Sequence, residues 1–153
     1  MKLRTIVLTL VMLFVGLTLC FASPTLGTWK LNEAKSKIPA GAPKNLTVVY
    51  EAKGDSIKCT IDGVDGAGKP THNEWTGKFD GKDYPVTGDP NSDTRAIKQV
   101  NDHTSDLTVK KGGKVTITGK AVVSADGKTR TVTLSGTDAA GKHIESTAVY
   151  DKQ

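Results

Sequence analysis

Lys114 to Gly136 reads KVTITGKAVVSADGKTRTVTLSG. In its first half Val115, Ile117, Gly119, Ala121 and Val123 alternate with Thr116, Thr118 and Lys120. In its second half Val132 and Leu134 alternate with Thr131, Thr133 and Ser135. A period of two with one apolar face is the pattern of a half-buried strand, since a helix would return to the same face only every three or four residues. Between the halves stands Asp126-Gly127-Lys128. An Asp-Gly pair between two alternating segments is a tight hairpin turn. The stretch is therefore two antiparallel strands with one wet side.

The same unit recurs outward in both directions. Leu46, Val48 and Tyr50 alternate with Thr47 and Glu51, and Asn73, Trp75, Gly77 and Phe79 alternate with Glu74, Thr76 and Lys78. Gly-Lys pairs fall at 68/69, 81/82, 113/114, 127/128 and 141/142, spaced 13, 32, 14 and 14 residues apart, and the long step holds its own turn, Gly88-Asp89-Pro90-Asn91-Ser92-Asp93. Strands are expected near 26–32, 46–53, 56–62, 71–79, 83–87, 94–101, 105–111, 114–124, 128–138 and 143–151. The long break is Glu33 to Lys44, where Asn32 can cap one helical turn before Pro39 and Pro43 end it. The expected fold is all-β, an antiparallel up-and-down meander of about 8–10 strands. Such a meander removes its exposed edges best by curling into a closed or partly open barrel.

The N-terminus has a different character. Lys2 and Arg4 precede an apolar run from Ile6 to Leu19, and Cys20-Phe21-Ala22 ends in a small residue. This is the layout of a secretory signal peptide over 1–22, cleaved before Ser23, and the run is short for a membrane span. An uncleaved anchor and an acylated Cys20 are the other readings; Leu19 stands where an acylation site wants a small residue. Cleavage leaves one domain, 23–153, and takes the formal charge from +5 to +3. No stable membrane span is expected after cleavage, and the location expected is exported, periplasmic or secreted. The lysines are spread along the chain, so no nucleic-acid patch is expected. Cys59 then stands alone, which excludes an internal disulfide. Alternation puts it with Ile57 and Ile61 on the inward face, as a buried and inert thiol.

No residue cluster announces a reaction. His72, His103 and His143 are scattered without metal-ligand spacing, and no serine sits in a nucleophile elbow. Asp62/Asp65 and Asp80/Asp83 flank turns, where aspartates bond their own backbone. The Gly-Lys pairs are turn signatures, because no helix follows them to cradle a phosphate. No enzyme activity, catalytic residue, metal or cofactor is expected.

Two end motifs carry a resemblance. Gly27-Thr28-Trp29-Lys30-Leu31 resembles the opening of the intracellular fatty-acid-binding proteins and the Gly-x-Trp start of lipocalins. Ser146-Thr147-Ala148-Val149-Tyr150-Asp151-Lys152 resembles the last strand of the fatty-acid-binding proteins, which typically reads Thr-Arg-x-Tyr-Glu-Lys. Phe79-Asp80-Gly81-Lys82-Asp83-Tyr84-Pro85-Val86 and the C-terminal Val149–Gln153 are similar to small exported bacterial proteins described as lipocalin-like, of the calycin kind. The resemblance implies a ligand-carrying barrel. In the fatty-acid carriers an arginine and a tyrosine of the last strand hold the ligand carboxylate; here the arginine position is Ala148 and only Tyr150 remains. Glu33 to Lys44 is also too short for their two-helix lid.

In such a barrel Gly27 and Trp29 are expected at the structural base. The expected interior is Leu46, Val48, Tyr50, Ile57, Cys59, Ile61, Trp75, Phe79, Leu107, Val109, Val115, Ile117, Val132, Leu134, Ile144 and Tyr150, with Gly77, Gly119, Ala121, Gly136, Ser146 and Ala148 as small inward residues. Tyr50, Trp75, Phe79 and Tyr150 are the candidate ligand-binding side chains. The small residues leave room for one ligand or let the barrel fill itself. Two functions follow: a non-catalytic binding module for a small hydrophobic molecule, or a filled-core structural or protein-interaction domain with no ligand.

Overall fold

Alternating Val, Thr and Ile favour a pleated surface with one side buried, and turns every dozen residues make neighbouring strands antiparallel. The computed structural model describes residues 23–137 and 141–153; the expected leader, 1–22, lies outside the described residues. Ten strands follow in order: β1 (Gly27–Leu31), β2 (Lys44–Lys53), β3 (Ser56–Val64), β4 (Pro70–Gly77), β5 (Tyr84–Thr87), β6 (Thr94–Asn101), β7 (Thr104–Lys111), β8 (Lys114–Val123), β9 (Thr129–Thr137) and β10 (His143–Lys152). Each strand pairs with the next, and β1 pairs with β10, so the meander closes into a barrel. Of the two closures expected, the complete one is observed. Tight turns hold the hairpins: Asp126 Oδ1 accepts the N–H of Lys128 at 3.0 Å, and Asp65 Oδ1 accepts those of Ala67 and Lys69 at 2.9 Å.

The break between β1 and β2 holds one 3-10 turn, Glu33–Lys35, capped by Asn32, whose side chain accepts from the Lys35 N–H at 3.2 Å. Lys37 then bridges Thr147 of β10, and Ile38 packs against the core. The connection thus runs beside β10 toward its His143 end, with no two-helix lid over the barrel.

Two expected interior residues point outward. Leu46 is 36% exposed and Val115 54%. Both lie beside a bulge. In β2 the pairing to β3 steps from Asn45↔Gly63 to Thr47↔Asp62, so Leu46 is the extra residue. In β8 it steps from Ile117↔Val109 to Val115↔Lys110, so Thr116 is extra and Val115 changes face. A single inserted residue reverses the parity of everything beyond it. Gly63 makes the first bulge possible, because a Cβ there would lie 2.1 Å from the Lys44 carbonyl oxygen.

The seam at β5 is the thinnest part of the wall. This four-residue strand has two register pairs to β4, Glu74↔Thr87 and Trp75↔Val86, and two to β6. A cleft of about 170 Å³ lined by Glu74, Trp75, Thr76, Pro85 and Thr87 opens on it. Few ladder bonds mean a low cost of local opening. Amide hydrogen exchange is expected to be faster at Tyr84, Val86 and Thr87 than anywhere along β9; equal protection in the two strands would count against this reading of the seam.

Candidate functional site

The closed end is built around Trp29, which is fully buried. Its Nε1 donates to the Thr25 carbonyl at 2.8 Å, so the chain just before β1 folds back under the ring. Lys152 Nζ lies 5.1 Å from the ring centroid and donates to the Pro24 carbonyl at 3.2 Å. Gly27 has φ +118, and a Cβ there would lie 2.9 Å from Lys152 Cε. Glycine at 27 therefore lets the lysine lie across the tryptophan.

The four candidate ligand-binding side chains come together. The Phe79 ring lies 6.3 Å from that of Tyr50, edge to face, and 6.2 Å from that of Trp75. Phe79 lies beyond the end of β4, and its carbonyl accepts the Gln99 N–H of β6 at 3.1 Å. Tyr84, which the alternation did not single out, stacks edge to face on Trp75 at 5.9 Å. Trp75 Nε1 donates to the Arg95 carbonyl at 2.9 Å.

What joins Tyr150 to this group is a residue that sequence reasoning missed. Arg130 of β9 stands directly opposite Tyr150 in the ladder. Its Nη2 donates to Tyr50 Oη at 2.9 Å, and its Cζ lies 5.1 Å from the Tyr50 ring centroid and 5.8 Å from that of Tyr150. The last strand carries Ala148 where the fatty-acid carriers have arginine, yet a guanidinium reaches Tyr150 from the neighbouring strand. Arg95 of β6 also points inward, donating to Asn73 Oδ1 at 3.3 Å. Both arginines are 8% exposed. A signal was present: the chain has three arginines, Arg4, Arg95 and Arg130, and Arg130 shares the parity of Val132 and Leu134.

The electrostatics follow from burial. Desolvation pushes the Tyr150 hydroxyl up to about 12, with the Arg130 charge pulling it back, and raises Tyr50 for the same reason. Both phenols are neutral at ordinary pH and able to donate. Burial also raises the thiol of Cys59, which is fully buried beside Tyr50. Lys58 points outward to Glu74, at 2.8 Å.

Exposure along the inward face grades from one end to the other. Tyr150, Arg130 and Val123 form a buried row across β10, β9 and β8. The next row, Ala148, Val132, Ala121 and Ser105, is buried as well. The third, Ser146, Leu134, Gly119 and Leu107, is partly exposed, as are Ile144, Gly136 and Ile117 beyond it, while Val109 of β7, opposite Ile117, is buried again. On β8 to β10, then, the interior is sealed at the Arg130 end and reached by solvent toward the end bearing the short β1–β2 connection.

Outside the barrel, His72 Nδ1 lies 2.6 Å from Asp62 Oδ1 and its Nε2 lies 3.7 Å from Glu74. His103 and His143 lie in other parts of the chain, and among the described residues no group of three or more His, Cys, Asp or Glu could hold a metal ion. No described helix is long and apolar enough to cross a membrane. Comparison with protein-family models gives no match, and no curated protein is significantly similar to the chain. The barrel is compatible with a calycin-like architecture.

Proposed function

We propose that the mature chain is an exported, non-catalytic, lipocalin-like binding protein that holds one small, largely apolar molecule inside its barrel. The observation that carries this reading is the partly exposed row Ser146, Leu134, Gly119 and Leu107. These residues face inward in the middle of their strands and stay partly exposed, although Leu107 and Leu134 pack against the core. Below them the wall is apolar and small, and beside Tyr50 it carries the rings of Trp75 and Phe79. An apolar cup with a few polar groups at its base is the usual form of a small-molecule site. Export is supported by Lys2 and Arg4, the apolar run and the small residue at Ala22.

The test is a native mass spectrum of the protein isolated gently from the exported fraction of its own host. The expected species is a chain beginning at Ser23 with an added mass of a few hundred daltons, lost on organic extraction. A bare chain that also fails to take up a neutral apolar probe overturns the reading, and a bare dimer points to an interaction domain with a filled core.

A further inference from the structure

Residues 23–26, which cleavage after Ala22 places first in the mature chain, are built into the base of the barrel. A chain terminus normally frays unless packing ties it down. Here the Leu26 N–H donates to the Ser23 carbonyl at 3.0 Å and the Thr25 N–H to Ser23 Oγ at 3.4 Å, so the segment turns back on itself. Lys152 Nζ donates to the Pro24 carbonyl, and Trp29 Nε1 to that of Thr25. Three successive carbonyls, those of Ser23, Pro24 and Thr25, are thus each engaged within the barrel. Thr25 is 7% exposed, and Leu26 packs against the core.

The far end of the chain completes this base. Trp29 of β1 stands opposite Lys152 of β10, and the Gln153 N–H donates to the Thr28 carbonyl at 3.0 Å. The pocket that holds residues 23–26 therefore forms only when the last strand docks beside the first. A segment bound as an added strand offers its backbone extended, with N–H and C=O groups free to pair. A turn whose carbonyls are already spent cannot be bound in that way.

Resting on the export reading above, we infer that the folded barrel shields its own leader-cleavage site, so that the leader is removed before β10 docks beside β1. The reaction is hydrolysis: a leader peptidase adds water across the Ala22–Ser23 peptide bond, leaving a carboxylate on Ala22 and an amino group on Ser23. While the chain is unfolded, residues 23–26 extend freely and the peptidase reaches both sides of the bond. Once the barrel closes, cleavage waits on local opening of the base, and its rate follows the population of the opened form. That opening breaks the Trp29–Thr25 bond and brings Thr25 and Leu26 into water. Because β10 is the last strand to be made, the site stays reachable for as long as the chain is being delivered.

The test uses the full 153-residue precursor and a purified bacterial leader peptidase in detergent micelles, with the products read by mass. The precursor is presented in two forms: diluted from urea directly into the peptidase, and refolded first, with folding followed by the fluorescence of the buried tryptophans. A second precursor repeats Ser23-Pro24-Thr25 ahead of the original copy, with a flexible Gly-Ser spacer of about twelve residues between them, which carries the bond away from the base. The unfolded precursor and the folded spacer precursor are expected to be cut at the same bond. The folded wild-type precursor is expected to be cut at least about tenfold more slowly than the folded spacer form. Equal rates for the two folded precursors overturn the shielding and leave the export reading standing. A wild-type precursor left uncut between Ala22 and Ser23 even when unfolded overturns both. A wild-type precursor that folds only after its leader is gone, while the spacer form folds with it attached, supports the same order of events.

Discussion

Trp29→Ala is expected to destabilise the barrel by about 3–5 kcal/mol, a fall in Tm of roughly 10–20 °C for a domain of this size. The indole is fully buried, it ties the chain before β1 to the base through its bond to Thr25, and it supports Lys152 on its face. Alanine removes the packing and the N–H donor together and leaves a cavity where β1, β2 and β10 meet, with Val48 and Lys152 directly across the ladders. Leu46→Ala is the control. Leu46 is as apolar as its neighbours and shares their alternation, but it sits on a bulge and is 36% exposed. Its loss is expected to stay within about 0.5 kcal/mol, as at most surface positions. Thermal melts of the two variants side by side check both figures. A Trp29→Ala variant melting within a degree or two of wild type would show that the base does not depend on this ring.

Stability is expected to fall steeply as pH rises from about 9 to 12. The native barrel holds the Tyr150 hydroxyl protonated up to about 12, against 10 for a solvated phenol, and raises Tyr50 and Cys59 as well. The unfolded chain releases these protons first. A group raised in the native state contributes stability that is complete below its unfolded pKa and is lost as pH climbs through its native value. Cys59 therefore begins the decline and the two tyrosines steepen it, with Tyr150 alone accounting for about 2–3 kcal/mol. Arg130 lowers both tyrosine values and so softens the effect without reversing it. Urea denaturation at a series of pH values reads the slope, and Tyr150→Phe is expected to reduce it by about one proton. A midpoint unchanged between neutral and strongly alkaline pH would contradict the burial of these groups.

Much of the architecture was legible because it rests on local patterns. Period-two alternation gives strands, Asp-Gly and Gly-Lys give turns, and a run of hairpins with no crossover leaves a meander as the natural topology. The cap at Asn32 and the single turn after it were equally local. The burial of Trp29 and the grouping of Tyr50, Trp75, Phe79 and Tyr150 followed once a closed barrel was assumed.

Two things needed the tertiary structure. The bulges at Leu46 and Thr116 depend on how a neighbouring strand is approached, as at Gly63, so alternation within one strand cannot reveal them. The inward arginines are the second. Arg130 follows the parity of Val132 and Leu134, but parity says only that a side chain faces inward; whether a charge is tolerated there depends on Tyr50 and Tyr150, which arrive from strands far apart in the chain. Arg95 lies beside Ala96 and Ile97, both buried, where alternation gives no answer at all. The amino-acid order by itself determined the strands, the turns and the order in which they pair, because each is set by neighbours a few residues away. Which charges the barrel encloses, and which end of it admits solvent, were decided only when the sheet closed, because burial and electrostatics belong to the assembled wall.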